Sequence, residues 1–250
     1  SPRRAPLALA LATALSLAGG TAALAQEKVL RIAMTAADIP RTLGQPDQGF
    51  EGNRFTGIPI YDSLTQWDLS KADAPSVLIP ALATAWSVDD KDKTKWVFKL
   101  RPGVKFHDGA PFNAEAVKYN FDRVTNPDNK LKRYSLYNNI AKTEVVDDYT
   151  ARITLKTPFS AFVNQLAHPS GVMISPVALK KYGKDIAFNP VGTGPFVFVE
   201  WKQTDFVKMK KFDGYWRKGY PKVDIVIWKP VLENNTRAAM LQTGEADFAF

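Results

Sequence analysis

Between Lys95 and Val124 the sequence changes its period once, and that change leaves few ways to fold. Trp96, Phe98 and Leu100 alternate with Lys95, Val97 and Lys99, the period of two of a half-buried strand. Arg101-Pro102-Gly103 breaks the pattern, and Val104-Lys105-Phe106 starts a second short extended piece. Asp108-Gly109 is a turn dipeptide, in which glycine takes a positive φ at no steric cost. Asn113 is placed as a helix N-cap, with Glu115 near the positive end of the helix dipole. Ala114, Val117, Phe121 and Val124 then fall on one helical face. A strand, a turn and an amphipathic helix must share one core, and the fold class is α/β.

Length and composition narrow what this core can serve. At 250 residues the chain has room for one large domain or two small ones, and its 45% hydrophobic and 23% charged residues are those of a globular protein. The absence of Cys excludes disulfides, thiolate metal sites and Cys nucleophiles together. The formal net charge of +8 invites a nucleic-acid reading. The bases, however, are spread singly among acids, as in Asp89-Asp90-Lys91-Asp92-Lys93, and nucleic acid is not expected as a partner.

Residues 1–25 read as a cleaved signal peptide. Arg3 and Arg4 form a basic start, Leu7 to Ala18 an apolar run too short to span a membrane comfortably, and Ala23-Leu24-Ala25 a cleavage site before Gln26. Export to the periplasm follows. Val29 to Met34 is a first strand, apolar almost throughout and expected to be buried on both faces. The polar stretch from Thr35 to Asn53 directly after it is where α/β folds place ligand contacts. Thr143 to Asp147 and Thr150 to Leu155 make a hairpin, as do Phe196 to Trp201 and Phe206 to Lys211. Pro158 opens a short helix carrying Phe159, Phe162, Val163 and Leu166, and Ser175-Pro176 caps another that Gly183 ends. Glu233 to Thr243 is a helix closed by Gly244, with Ala238 and Leu241 expected to face inward. In Asn189 to Phe196 the two glycines around Thr193 set a tight turn; a strand follows rather than a helix, so this is no dinucleotide fingerprint.

The string Ala81-Leu82-Ala83 through W-x-F-x-L-R-x-G-V-x-F-x-D-G-x-P-F and its helix resembles the signature of bacterial solute-binding proteins of the dipeptide/oligopeptide class, family 5. Tyr61-Asp62-Ser63-Leu64, Val191-Gly192-Thr193-Gly194-Pro195-Phe196, Asp213-Gly214-Tyr215-Trp216 and Gly244-Glu245-Ala246-Asp247 continue the resemblance. It implies a periplasmic-binding-protein-like, two-lobe α/β fold, of which this chain holds essentially the first lobe. Residues 26–63 and 190–250 would form the main lobe, incomplete here, and 64–189 an inserted smaller subdomain. It implies a monomer that closes on a peptide or similar small solute and delivers it to the permease subunits of an ABC importer. Gln48, Phe50, Glu51 and Asn53, with Gly192 and Thr193 at the returning turn, are the candidate ligand contacts. Neither cofactor nor metal is implied. Asp38-Ile39-Pro40 departs from the L-D-P that common peptide binders carry after the first strand, which weakens a strict dipeptide reading.

Three alternatives stay open beside a peptide binder: a binding protein for a non-peptide solute such as an opine, a sugar or a metal chelate, an exported hydrolase, and a surface-bound interaction module or folding factor. The hydrolase needs a nucleophile or metal constellation. The two histidines, His107 and His168, sit in different motifs, and neither joins a G-x-S-x-G or H-E-x-x-H. His107 is read as a turn residue, and no catalytic residue is named.

Overall fold

The computed structural model describes residues 27–35 and 57–250. In chain order the strands and helices are β1 (Val29–Met34), β2 (Thr65–Trp67), β3 (Leu78–Pro80), β4 (Ala83–Val88), β5 (Lys95–Leu100), α1 (Ala114–Thr125), α2 (Tyr134–Tyr137), β6 (Ile140–Asp147), β7 (Thr150–Leu155), α3 (Phe162–Leu166), α4 (Pro176–Tyr182), β8 (Phe196–Lys202), β9 (Phe206–Lys211), β10 (Ile225–Pro230), α5 (Asn234–Thr243) and β11 (Phe248–Ala249). They form two main sheets. A five-stranded sheet runs in the order β11-β1-β10-β9-β8, with β1 parallel to both β10 and β11 and the other pairs antiparallel. A four-stranded antiparallel sheet runs β4-β5-β7-β6, and β2 and β3 pair as a separate ribbon.

The period change at Lys95–Val124 builds the smaller sheet's core. Trp96, Phe98 and Leu100 are buried while Lys95 and Lys99 are exposed. Gly109 takes φ +86, and the Asn113 side chain accepts from the Ala116 amide at 3.0 Å, capping α1. Ala114, Val117 and Phe121 pack inward with Val124 against the same cluster, where Phe98 meets Phe162 edge-on with ring centres 6.3 Å apart. This apolar burial is non-directional and scales with area.

The larger sheet has its own core of Ile32, Met34, Ile60, Tyr61, Val207, Met209, Val226 and Trp228. Ile174, Ala178, Leu179 and Ile186 join this second core rather than the first. The cores therefore part company well before residue 189, where the expected insert ends. Asn120 marks the crossing, since its side chain both donates to Ile174 O and accepts from Ile174 N.

Three expectations shift. β1 is buried only over Ile32–Met34; Arg31 is exposed and lies 3.7 Å from Asp247, whose carboxylate also accepts from the Arg31 amide. α3 starts at Phe162, leaving Phe159 exposed. On α5 the buried side chains are Arg237 and Met240, while Leu241 is 45% exposed. The reason is polar: Arg237 donates to the carbonyls of Val231, Leu232 and Phe250 and to Asn234 Oδ1, which rotates the guanidinium inward. The carbonyls it holds belong to the chain just beyond β10 and β11, beside the carboxyl end of β1.

Candidate functional site

Where the two sheets meet, one carboxylate gathers three parts of the chain. The segment after the short 3₁₀ turn Ile58–Ile60 carries Tyr61 and Asp62 inward from an otherwise apolar run. Asp62 Oδ2 accepts from Thr193 Oγ1 at 3.0 Å and from Trp216 Nε1 at 2.9 Å, and Oδ1 accepts from the Tyr215 hydroxyl at 3.2 Å. Buried anions are tolerated when their lone pairs are met in this way. Burial still dominates and pushes the Asp62 carboxyl up to about 6, against the pull of its three donors and of Arg217. The Tyr215 phenol is raised by burial and by the charge of Asp62. Trp216 is flanked by cations, with the Arg101 guanidinium 4.3 Å and that of Arg217 5.0 Å from its ring centre.

The turn Gly192–Thr193–Gly194 is held from other sides as well. Gly194 N donates to Ile60 O at 2.9 Å, and His107 N donates to Gly192 O at 2.9 Å. His107 Nε2 lies 2.9 Å from Gly194 O; a carbonyl only accepts, so Nε2 carries the proton. Burial holds the His107 ring at about 4, so it is neutral near pH 7. It packs edge-on against Phe212 at 4.8 Å. A Cβ on Gly194 would lie 2.5 Å from the Ile60 carbonyl carbon, and one on Gly192 would strike Ile60 O. Both glycines are there because backbone passes against backbone.

Of the residues expected to contact a ligand, Gln48, Phe50, Glu51 and Asn53 lie outside the described residues. Thr193 is fully buried with its hydroxyl committed to Asp62, and the Gly192 carbonyl is committed to His107. The Thr193 hydroxyl and the Gly192 carbonyl are thus both engaged within the protein. Its partners Asp62, Tyr215 and Trp216 stand inside recognised strings without having been singled out. The usable signal was a lone acid in the apolar run Ile58-Pro59-Ile60-Tyr61-Asp62.

Among the described residues a histidine meets a serine hydroxyl at His168, whose Nδ1 is 2.7 Å from Ser170 Oγ. Ser170 is buried, its hydroxyl also meets Tyr137 at 3.1 Å, and its amide donates to the same Nδ1 at 3.2 Å. This is a local cap of the 3₁₀ turn Pro169–Gly171. Among the described residues no group of three or more His, Asp or Glu could hold a metal, and no helix is long and apolar enough to cross a membrane.

A mixed sheet whose parallel strands β1, β10 and β11 end side by side, with a second sheet docked through a polar seam, is the lobe architecture of periplasmic binding proteins. The solved structures agree. The agropinic-acid complex of the binding protein AgaA from A. tumefaciens R10 matches with a TM-score of 0.79 at 30% identity, covering 88% of this chain and 43% of that one. The DppA protein of Helicobacter pylori, in complex with the peptide STSA, matches at 0.75 and 29%, covering 88% and 46%. The chain belongs to the bacterial extracellular solute-binding proteins, family 5, whose middle-region model matches residues 77–250. It is 66% identical over 233 residues to the glutathione-binding protein GsiB of Salmonella typhi, covering 88% of this chain and 45% of the relative. Against the GsiB of Pectobacterium atrosepticum it is 57% identical over 209 residues, covering 80% and 40%. The chain therefore spans less than half the length of these curated relatives. The family and these relatives are binding proteins.

Proposed function

We propose that this chain is the first lobe of a periplasmic solute-binding protein that captures a peptide-like solute between two lobes and presents it to the permease of an ABC importer. Glutathione is the first candidate solute. The observation that carries this reading is the 66% identity to a glutathione-binding protein over nearly nine-tenths of the chain. In this reading the solute lies beyond the carboxyl ends of β1, β10 and β11, where open α/β sheets bind ligands. Gln48, Phe50, Glu51 and Asn53 contact it, and Gly192 and Thr193 set the position of the wall beneath. Charge pairs to the carboxylates and ammonium of the solute supply orientation, and desolvation supplies affinity. The protein works as a monomer, is exported with cleavage after Ala25, and turns nothing over.

A second reading, an opine binder, is supported by the likeness to AgaA. The test is a melting series on the mature two-lobe protein with glutathione, short peptides and opines, assaying each solute for breakdown. At a hundred times Kd a bound solute adds about 2.7 kcal/mol of stability. A rise with glutathione, the solute staying intact, is the expected result. A rise with opines alone selects the second reading, and breakdown of a peptide overturns both.

A further inference from the structure

Beside the ends of α1 and α4 lies a recess of about 940 Å³, within the size range of small-molecule sites and sharing no residue with the seam at Asp62. Tyr119 and Leu179 line it from the two helices, Lys130 and Lys132 from the loop after α1, and Lys184 from the turn after α4. We propose that this recess binds a small multivalent anion, a molecule carrying two or more carboxylate or phosphate groups, through Lys130, Lys132 and Lys184.

The chain brings these cations together by two separate local devices. After α1, Asn126 Oδ1 accepts from Asp128 N at 2.9 Å, and Asn129 Nδ2 donates to Arg123 O at 2.8 Å, so the 3₁₀ turn Pro127–Asn129 is pinned back onto the helix. Lys130 closes this turn with φ +51, its amide donating to Pro127 O at 3.0 Å. Glycine or asparagine suits such a left-handed backbone better than lysine does. After α4, Gly183 takes φ +53 and its amide donates to Leu179 O, and the turn brings Lys184 to the recess.

The charges at the recess do not cancel. Lys130, Lys132 and Lys184 have no ion pair among the described residues. Of the two acids that line it, Asp122 is spent on Lys118 at 2.5 Å, which leaves Asp128 against three lysines. Helix ends explain other cations nearby. Arg123 lies in the last turn of α1, and Lys180 and Lys181 lie in that of α4, where positive charge offsets the carbonyl ends. That effect fades within a turn, and the three recess lysines lie past both ends. Lys180 also stands 5.2 Å from the ring centre of Tyr119, adding its charge at the rim. An anion with one group would meet one exposed lysine, an interaction worth little. A molecule with several groups meets lysines from both segments, and its later contacts form within a complex already made.

The proposal concerns residues other than the solute contacts, so it succeeds or fails apart from the solute-binding reading. Its test uses the mature full-length protein with citrate and pyrophosphate as probes, one a carboxylate and one a phosphate anion. Calorimetry reads binding, and mass spectrometry reads which lysines the probe shields from acetylation. Saturable binding of at least one probe is expected, with Lys130, Lys132 and Lys184 shielded and Lys208 and Lys210 on β9 left reactive. Citrate alone would assign the site to carboxylates, pyrophosphate alone to phosphates, and both to either group. Raising salt from about 10 mM to about 150 mM, which shortens the screening length from about 30 Å to about 8 Å, should weaken binding about tenfold. Lys184→Gln should weaken it about threefold, the worth of one exposed charge pair. Lys130→Asn should weaken it equally while raising the melting temperature, because asparagine suits the left-handed backbone. Lys208→Gln should leave binding unchanged. Should a variant fail to fold, the wild-type shielding pattern still decides. No saturation with either probe, equal shielding of lysines across the surface, or unchanged binding in both Lys130→Asn and Lys184→Gln overturns the proposal.

Discussion

The core under the four-stranded sheet and the seam at Asp62 both join distant pieces of chain, by opposite means. In the core, Phe98, Phe106, Phe112, Phe121, Ile153 and Phe162 are buried among one another, and no single direction matters. In the seam each bond has a direction and a defined donor, and at its centre sits a charge that burial disfavours. The core is stable because removing water from apolar surface is favourable regardless of pH. The seam gains position instead: a buried carboxylate is satisfied in one arrangement and costly in others.

The largest break in this comparison should come from the core. Phe98→Ala, at a fully buried position, is expected to cost about 3–5 kcal/mol, and the loss should be the same at pH 5 and pH 7. Denaturant unfolding at the two pH values checks it.

The seam should respond to pH instead, and its two groups have opposite signs. Asp62 is raised from 3.8 to about 6, so its contribution is fully present below 3.8 and is lost as pH rises through 6. His107 is lowered from 6.5 to about 4, so its contribution is present above 6.5 and is lost as pH falls through 4. Each amounts to about 3 kcal/mol across the full window, and in the wild type they nearly cancel between pH 4.5 and 6.5. Asp62→Asn should uncover the histidine, giving stability that falls toward acid. His107→Gln should uncover the carboxylate, giving stability that rises toward acid. Parallel slopes in the two variants would contradict the assignment. The acids Asp68, Asp89, Asp92 and Asp147, whose carboxyls are lowered from 3.8 by hydrogen bonds, lose their contributions only as pH falls below about 4.

How much of this was legible in the sequence divides along the same line. The strand at Lys95–Leu100, the turn at Gly109, the caps at Asn113 and Ser175 and the stop at Gly244 all rest on signals within a few residues, and they form where the periods and capping residues place them. Asp62 finds its partners 131, 153 and 154 residues away, and no local pattern encodes such a meeting. Arg237 misleads for a related reason. A cation in an amphipathic helix belongs outside unless carbonyls await it, and those of Val231, Leu232 and Phe250 come from two other strand ends. The Gly192–Gly194 turn was read as tight from its glycines; that it presses on the Ile60 backbone needed the fold.

Gly194→Ala sharpens the seam's side of the comparison without touching its charge. The new methyl would lie against backbone carbon rather than a yielding side chain, so about 1–3 kcal/mol should be lost through overpacking. Because the shift displaces the carbonyl that His107 holds, the titration of the His107 ring should move with it. A loss of stability with the His107 titration in place would separate the packing of the turn from its hydrogen bond to His107.

The smallest effect tests whether any directional bond would behave as the seam does. Asn113 also offers a side-chain oxygen to a backbone N–H, that of Ala116 at 3.0 Å, yet it lies at a helix start, is half-buried and carries no charge. Asn113→Ala should cost about 1 kcal/mol, the usual worth of an N-cap. The cost should not change between pH 4.5 and 7, because neither partner titrates. A pH-dependent loss here would mean that α1 reports on the seam through Asn120 and Ile174, the bonds that tie the helix to the larger sheet's core. The two regions would then be one mechanical unit rather than a stable core beside a responsive joint.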